Sequence, residues 1–165
     1  MSPLFQPEMG ARSDRVQGAE MEEVLAELES WRYGGNYQVF LRVYRVAFVQ
    51  EPTAELLIAQ ALGPSAVVGR VVPITELRVL TEVEECLRYA GDTGHGPEPI
   101  ALRSQRFELL VSAVLSELRQ SISGATLLTE FGIHDGHPAY PVFWDFAFVI
   151  AGSASRFVFI GSSSD

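Results

Sequence analysis

The stretch that decides the fold is Val142-Phe-Trp-Asp145-Phe-Ala-Phe-Val-Ile150, in which every side chain but one is apolar. Because alternate side chains of an extended chain point to opposite faces, both faces of this segment are apolar. Such a strand is typical of the centre of a sheet that is covered above and below. We therefore predict that Val142 to Ile150 and Arg156 to Ile160 form a hairpin near the middle of an antiparallel sheet, followed by a polar tail at 161–165.

Three earlier segments carry apolar residues at helical spacing and are predicted to cover that sheet. They are Ala19 to Trp31, Ile74 to Ala90 and Leu102 to Ile122. Thr75 and Ser104 stand where N-cap residues are expected for the second and third of these helices. The apolar side of the second helix is predicted to comprise Leu77, Leu80, Val83, Leu87 and Ala90.

The remaining β-type segments complete the sheet. Tyr37 to Val49, Ala66 to Val72 and Ala125 to His134 favour strands. The composition of Ala54 to Ala61 favours a helix, but its position after a turn favours a hairpin strand, which we prefer. The sequence thus predicts a single α+β domain over residues 19–165, with an antiparallel sheet of about five or six strands packed with three helices, after a flexible lead-in at 1–18.

Composition narrows the classes of function. The 165-residue chain has a net charge of −9 and no lysine, which argues against nucleic-acid binding because phosphate neutralisation needs clustered basic residues. The single cysteine, Cys86, excludes an internal disulfide and a zinc finger, and its helical apolar neighbours indicate a core residue. No apolar run reaches the roughly 18 residues of a membrane helix, so we expect no membrane insertion and a cytoplasmic location. Arginine as the only strong base hints at a GC-rich, bacterial-type coding sequence.

Asp145 is the charged residue within the central strand. Burial of a bare carboxylate is costly, so we expect Asp145 to be paired, protonated or hydrogen-bonded. If Ile150 faces Arg156 across the turn, Asp145 faces Gly161, which would leave space beside the carboxylate. Two interpretations follow: a structural bond to backbone amides or to an arginine such as Arg42, and a general acid or base.

Two histidines precede the same strand, in Glu130-Phe-Gly-Ile-His134-Asp-Gly-His137. An imidazole oriented by Asp145 or Glu130 is a proton-transfer pair near neutral pH, so His134, His137 and Asp145 are the candidate catalytic residues. In a turn, His134 and His137 could also reach one metal ion, with Glu130 as a third ligand, as in zinc or non-haem iron sites. No organic cofactor is expected, and a divalent metal is left open.

Aromatic residues beside these groups suggest a ligand. Tyr140 and Trp144 could form walls for a small apolar or aromatic molecule, and Arg42 could meet a ligand anion. The sequence contains neither a glycine-rich phosphate loop nor a nucleophile elbow, so nucleotide-dependent and triad-hydrolase chemistry are disfavoured.

Two hypotheses of function remain. The first is a small-molecule enzyme or ligand-binding protein that uses this His/carboxylate/aromatic pocket for proton transfer such as isomerisation, cyclisation or hydrolysis, with or without a metal. The alternative is a non-catalytic acidic interaction protein, of inhibitor or immunity type, which binds a basic partner through an exposed acidic face such as Glu20 to Glu29. The sequence leaves a homodimer open.

Overall fold

A computed structural model describes the backbone of residues 9–165 and the side chains of residues 20–165. Within residues 9–165 the chain forms five helices: α1 (Met9–Arg32), α2 (Ala54–Leu62), α3 (Glu76–Arg88), α4 (Pro99–Leu102) and α5 (Gln105–Ser123). The same residues form seven strands: β1 (Gly34–Gly35), β2 (Gln38–Arg45), β3 (Val67–Pro73), β4 (Gly96–Pro97), β5 (Ala125–Asp135), β6 (Trp144–Gly152) and β7 (Arg156–Ser164). The chain is a single α+β domain, as predicted.

The main sheet is antiparallel and has the strand order β2-β7-β6-β5-β3, while β1 and β4 form a separate two-stranded sheet. The β6–β7 hairpin lies at the centre, as predicted. On one face of β6, Phe148 and Ile150 pack into a core with α1, α3 and α5. On the other face, Val149 packs into a second core with α2. Both faces of the central strand are therefore buried, which explains its nearly continuous apolar sequence.

The prediction of a strand at 54–61 is wrong, because this segment is α2. Its N-cap is Thr53, whose side-chain oxygen accepts a hydrogen bond from the Leu56 amide at 3.2 Å. Leu57 and Ile58 are fully buried against the sheet. The helix-favouring composition outweighed the hairpin argument because α2 is the layer that covers the second face of β6. Helices α4 and α2 also raise the helix number above the predicted three.

The predicted polar tail is instead the end of β7. Gly161, Ser162 and Ser163 are buried and pair with both β2 and β6. A run of serines can occupy a central strand because its backbone bonds are satisfied on both sides. Residues 1–8 of the predicted lead-in lie outside the described residues, and α1 begins at Met9.

Helix α3 begins after Thr75, whose side chain accepts from the Arg78 amide, and α5 begins after Ser104, which accepts from Arg106. Both predicted N-caps are confirmed. The predicted apolar side of α3 is partly wrong: Leu77 is 75% exposed, and the buried residues are Val79, Val83, Cys86 and Leu87. The rotation matters because it carries Glu82, one turn before Cys86, towards the sheet.

Cys86 is a buried core residue, as predicted, and burial raises the pKa of its thiol to about 12. The thiol is therefore protonated and unreactive at neutral pH. Among the helices of the described residues, none combines the length and the apolar character that crossing a membrane requires.

Candidate functional site

Strands β5 and β6 separate before they end. Their register runs from Ala125 opposite Gly152 to Glu130 opposite Phe148, and the pairing stops there. Beyond this point β5 continues alongside β3 to Asp135, while β6 continues alongside β7 to Trp144. The gap forms a cleft of about 260 Å³, here called the splay cleft, lined by Arg70, Val72, Glu82, Glu130, Phe131, Gly132, Asp145, Phe146 and Ala147.

Three carboxylates from three elements meet at the splay cleft. Glu82 comes from α3, Glu130 from β5 and Asp145 from β6. Burial raises the pKa of Glu82 most, and the charge of Glu130 raises it further; Arg78 lowers it, and the charges of Asp145 and Glu85 add smaller increases. The Oε2 atom of Glu82 is buried without a hydrogen-bond partner and lies 4.0 Å from the Arg78 guanidinium. Glu82 thus keeps its proton to a higher pH than an ordinary glutamate does.

The other walls of the cleft are a cation and an apolar surface. Arg70 lies on β3 between Val68 and Val71, where the register with β5 shifts. Apolar side chains make up much of the remaining lining, from Val72, Phe131, Phe146 and Ala147. The splay cleft is therefore lined by four ionisable residues and a smaller apolar area.

Asp145 is not buried, which corrects the sequence-based expectation. Its side chain is exposed at the mouth of the cleft, because β5 has already turned away from β6 at this position. Its partner in β7 is Ser162 rather than Gly161, since Ile150 pairs with Phe157 and the register is shifted by one residue. Gly161 lies opposite Phe146, where a Cβ atom would overlap the Phe146 ring.

His137 lies in the β5–β6 connection and is half-buried. Burial lowers the pKa of His137, while the Asp145 charge and the Ala139 hydrogen bond act in the opposite direction. Its Nδ1 atom accepts a hydrogen bond from the Ala139 amide at 2.9 Å. A neutral imidazole that accepts at Nδ1 carries its proton on Nε2. His137 is therefore a neutral base within electrostatic reach of Asp145.

His134 lies apart from the splay cleft. Its exposed ring covers Gly69 of β3, where a Cβ atom would come within 2.6 Å of His134 Nε2. His134, His137 and Tyr140 instead line a separate hollow of about 540 Å³ along the connection 133–141. In the part of the chain that the structure describes, no three His, Cys, Asp or Glu side chains are arranged to hold a metal ion, so His134, His137 and Glu130 do not form such a set.

Of the predicted ligand-binding residues, Arg42 and Tyr140 line one hollow of about 490 Å³ at the start of β2, whereas Trp144 does not line it. Tyr140 is 83% exposed, whereas the Trp144 indole donates a hydrogen bond to the Tyr37 hydroxyl at 2.8 Å. Arg42 binds Glu29 of α1 and lies over the Phe40 ring, 4.7 Å from its centroid. The site that the sequence predicted as one pocket is therefore divided, and only Glu130 and Asp145 of the predicted residues line the splay cleft.

Sequence reasoning missed Glu82 and Arg70. The available signal for Glu82 was its position between Val79 and Cys86 on the apolar side of a helix, where a glutamate is unusual. Arg70 gave a weaker signal, as a charged residue inside a short strand. No protein-family profile matches this chain, and no curated protein resembles it closely enough to count as a relative.

Proposed function

We propose that this protein binds a small molecule in the splay cleft and transfers a proton to or from it. The observation that carries the proposal is the carboxyl of Glu82, which is largely buried in a cleft beside two further carboxylates and has a raised pKa. Perturbed carboxyls in clefts are typical of acid–base sites, because the shift brings their proton transfer closer to neutral pH.

The roles in this proposal follow from the environment of each group. Glu82, whose pKa is raised, is the donor to the bound molecule. Asp145, exposed at the mouth, is the acceptor. Groups whose surroundings favour opposite protonation states are the usual basis for assigning acid and base. Isomerisation, cyclisation and hydrolysis all use such a pair.

The same walls suggest the chemistry of the ligand. Even with a proton on Glu82, Glu130 and Asp145 outnumber Arg70, which favours a positively charged or protonatable group because an anion would meet a net negative cleft. Phe131, Phe146 and Ala147 offer an apolar surface for the remainder of the molecule. We therefore propose a small, partly apolar, cationic ligand.

Benzamidine, benzamide and benzoate test this proposal, because they share a ring and differ in charge. We expect benzamidine to bind most tightly and benzoate most weakly, as followed by NMR shifts of the Gly132 and Ala147 amides. At a pH above the raised pKa of Glu82, where this carboxyl is charged, Glu82→Gln should weaken benzamidine binding about threefold to tenfold, since it removes one charge interaction. Glu85→Gln, an exposed site on the same helix, is the matched control.

Tighter binding of benzoate than of benzamidine would overturn the proposed ligand class. Equal weakening by Glu82→Gln and Glu85→Gln would overturn the role of Glu82. Shifts confined to amides outside the splay cleft would show that the site lies elsewhere.

A further inference from the structure

The free edge of β2 carries a second feature that goes beyond the small-molecule function and does not depend on it. β2 is the last strand at its end of the main sheet. The Leu41 amide donates to Glu29 Oε1 at 2.7 Å, and the Leu41 carbonyl accepts from Arg42 Nη1 at 2.8 Å. Arg42 Nη1 also donates to Glu29. This Glu29–Arg42 clasp supplies Leu41 with the acceptor and donor that a neighbouring strand would provide.

The clasp satisfies the backbone of Leu41 alone. The Leu41 amide points away from β7, and alternation along an antiparallel strand gives Val39 and Val43 the same outward direction. Even-numbered residues should then face β7, and the Val46 amide does donate a hydrogen bond to the Arg156 carbonyl of β7. Among the described residues, no side chain bonds the backbone of Val39 or Val43. Two further positions for strand pairing therefore flank the clasp.

Open space accompanies these positions. A hollow of about 490 Å³ reaches Val39, and another of about 290 Å³ reaches Val43. Glu29 and Arg42 line both hollows, so the two form one groove at β2 that is interrupted by the clasp; the hollow at Val39 also extends over Tyr140, Ser164 and Asp165. We call this groove, from Val39 to Val43, the edge groove. An unpaired strand beside open space is a template for strand addition.

The two sides of the edge groove differ in chemistry. On the α1 side, Glu22, Ala26 and Glu29 lie one turn apart in sequence and face β2. On the opposite side of the sheet, the half-buried rings of Phe40 and Tyr44 pack against the second core. A strand added to β2 would thus present alternate side chains to an acidic helix and to an aromatic surface.

We propose that the edge groove binds an extended segment of a partner protein in which basic residues alternate with apolar ones. The basic side chains pair with Glu22 and Glu29, and the apolar ones cover Phe40 and Tyr44. Arrival of a basic residue also gives Glu29 a new cationic partner, which releases the clasp from Leu41 and frees that backbone for pairing. The net charge of −9 steers such a segment towards the protein.

Residue-resolved hydrogen exchange, with a nine-residue peptide of alternating arginine and valine, tests the proposal. On peptide binding, the amides of Val39 and Val43 should exchange about tenfold more slowly or better, because they gain hydrogen bonds. The amides of Phe40, Arg42 and Tyr44 already pair with β7 and should change little. This alternation is the signature of strand addition, which a merely electrostatic contact does not produce.

Two controls accompany the measurement. A peptide with glutamate in place of each arginine should not slow exchange. Glu22→Gln should weaken binding of the arginine peptide about threefold. Glu23→Gln, at an exposed site on the same helix but outside the groove, should leave this binding unchanged. Neither substitution touches the splay cleft, so failure here leaves the small-molecule proposal standing.

Several outcomes would overturn the proposal. These are uniform slowing of hydrogen exchange along β2, slowing of exchange at the β3 edge instead, and binding of the glutamate peptide as tightly as the arginine peptide. Slowing of Val39 and Val43 that depends on protein concentration, without any peptide, would identify a second copy of the chain as the occupant.

Discussion

The two halves of the β5–β6 pair are made by the same two strands, but they differ in almost every physical property. In the paired half, from Ala125 to Glu130 against Phe148 to Gly152, side chains of β6 are fully buried on both faces. In the splayed half, the same strands carry Glu130, Gly132 and Asp145 around a cleft. Apolar pairing builds the core, and its interruption places charged groups at a surface that a ligand can reach.

The largest loss of stability should come from truncating Phe148, the buried residue of β6 at which the paired half ends. Phe148 is fully buried and stacks on Phe146, with ring centroids 5.4 Å apart. We expect Phe148→Ala to lower the free energy of unfolding by about 3–5 kcal/mol, because it leaves a cavity between the sheet and its helices. Urea denaturation measures the loss. Tyr140→Ala, at an exposed site beyond the splayed half, should cost less than about 0.5 kcal/mol.

The same substitution, glycine to alanine, should have different consequences on the β7 side of β6, where pairing continues, and on the β5 side, where pairing has ended. At Gly161 a Cβ atom would overlap the Phe146 ring, which is held by Phe148 and Phe159 and has little room to move. Gly161→Ala should therefore cost about 1–3 kcal/mol of stability. At Gly132, in the splayed half, a Cβ atom meets nothing within 4 Å.

Gly132→Ala should accordingly change stability by no more than about 0.5 kcal/mol while its methyl group narrows the cleft and weakens benzamidine binding. Thermal unfolding and a binding titration separate the two effects. Equal destabilisation by both substitutions would contradict the view that the splayed half is open.

The smallest expected effect is a pH dependence of the free energy of unfolding that arises from Glu82 in the splay cleft. Folding raises the pKa of Glu82 above its ordinary value of 4.5, chiefly through burial. The folded state therefore holds this proton more tightly than the unfolded state, and the resulting stability is complete below pH 4.5 and is lost as the pH rises through the raised pKa. Glu82→Gln removes that loss, so we expect it to stabilise the protein at pH 7 relative to pH 4 by up to about 1 kcal/mol.

Denaturation curves of Glu82→Gln and Glu23→Gln at the two pH values provide the measurement. Glu23 is exposed on α1 and is not among the charges that raise the Glu82 pKa, so Glu23→Gln should leave the pH dependence of stability unchanged. A Glu82→Gln variant that tracks the unsubstituted protein at both pH values would contradict a proton held at this carboxyl.

The elements that sequence reasoning predicted well are those whose signals are local. Thr75 and Ser104 cap α3 and α5 because the capping bond joins residues two or three apart. The central position of β6 followed from its apolar composition alone. The error at α2 is instructive, since its residues favoured a helix and only an assumed hairpin argued otherwise. The helix propensity of these residues, together with the burial of Leu57 and Ile58 against the sheet, decided the structure, and the supposed hairpin does not form.

The candidate site was harder to predict because its geometry is non-local. The error at Asp145 arose because the end of β5–β6 pairing depends on β3 drawing β5 away, which residues near Asp145 do not encode. A shift of one residue in register then replaced Gly161 with Ser162 as its neighbour. Glu82 lies 48 positions before Glu130, so their meeting depends on how α3 rotates on the sheet.

The sequence by itself determined the α+β class, the capped amphipathic helices and the buried central hairpin, because side-chain periodicity and capping act within a few residues. Only the tertiary structure decided where strand pairing ends, which carboxyls share a cleft and which backbone groups of β2 remain unpaired. Those features depend on contacts between distant segments, and their energies become favourable only after the chain has closed the intervening loops.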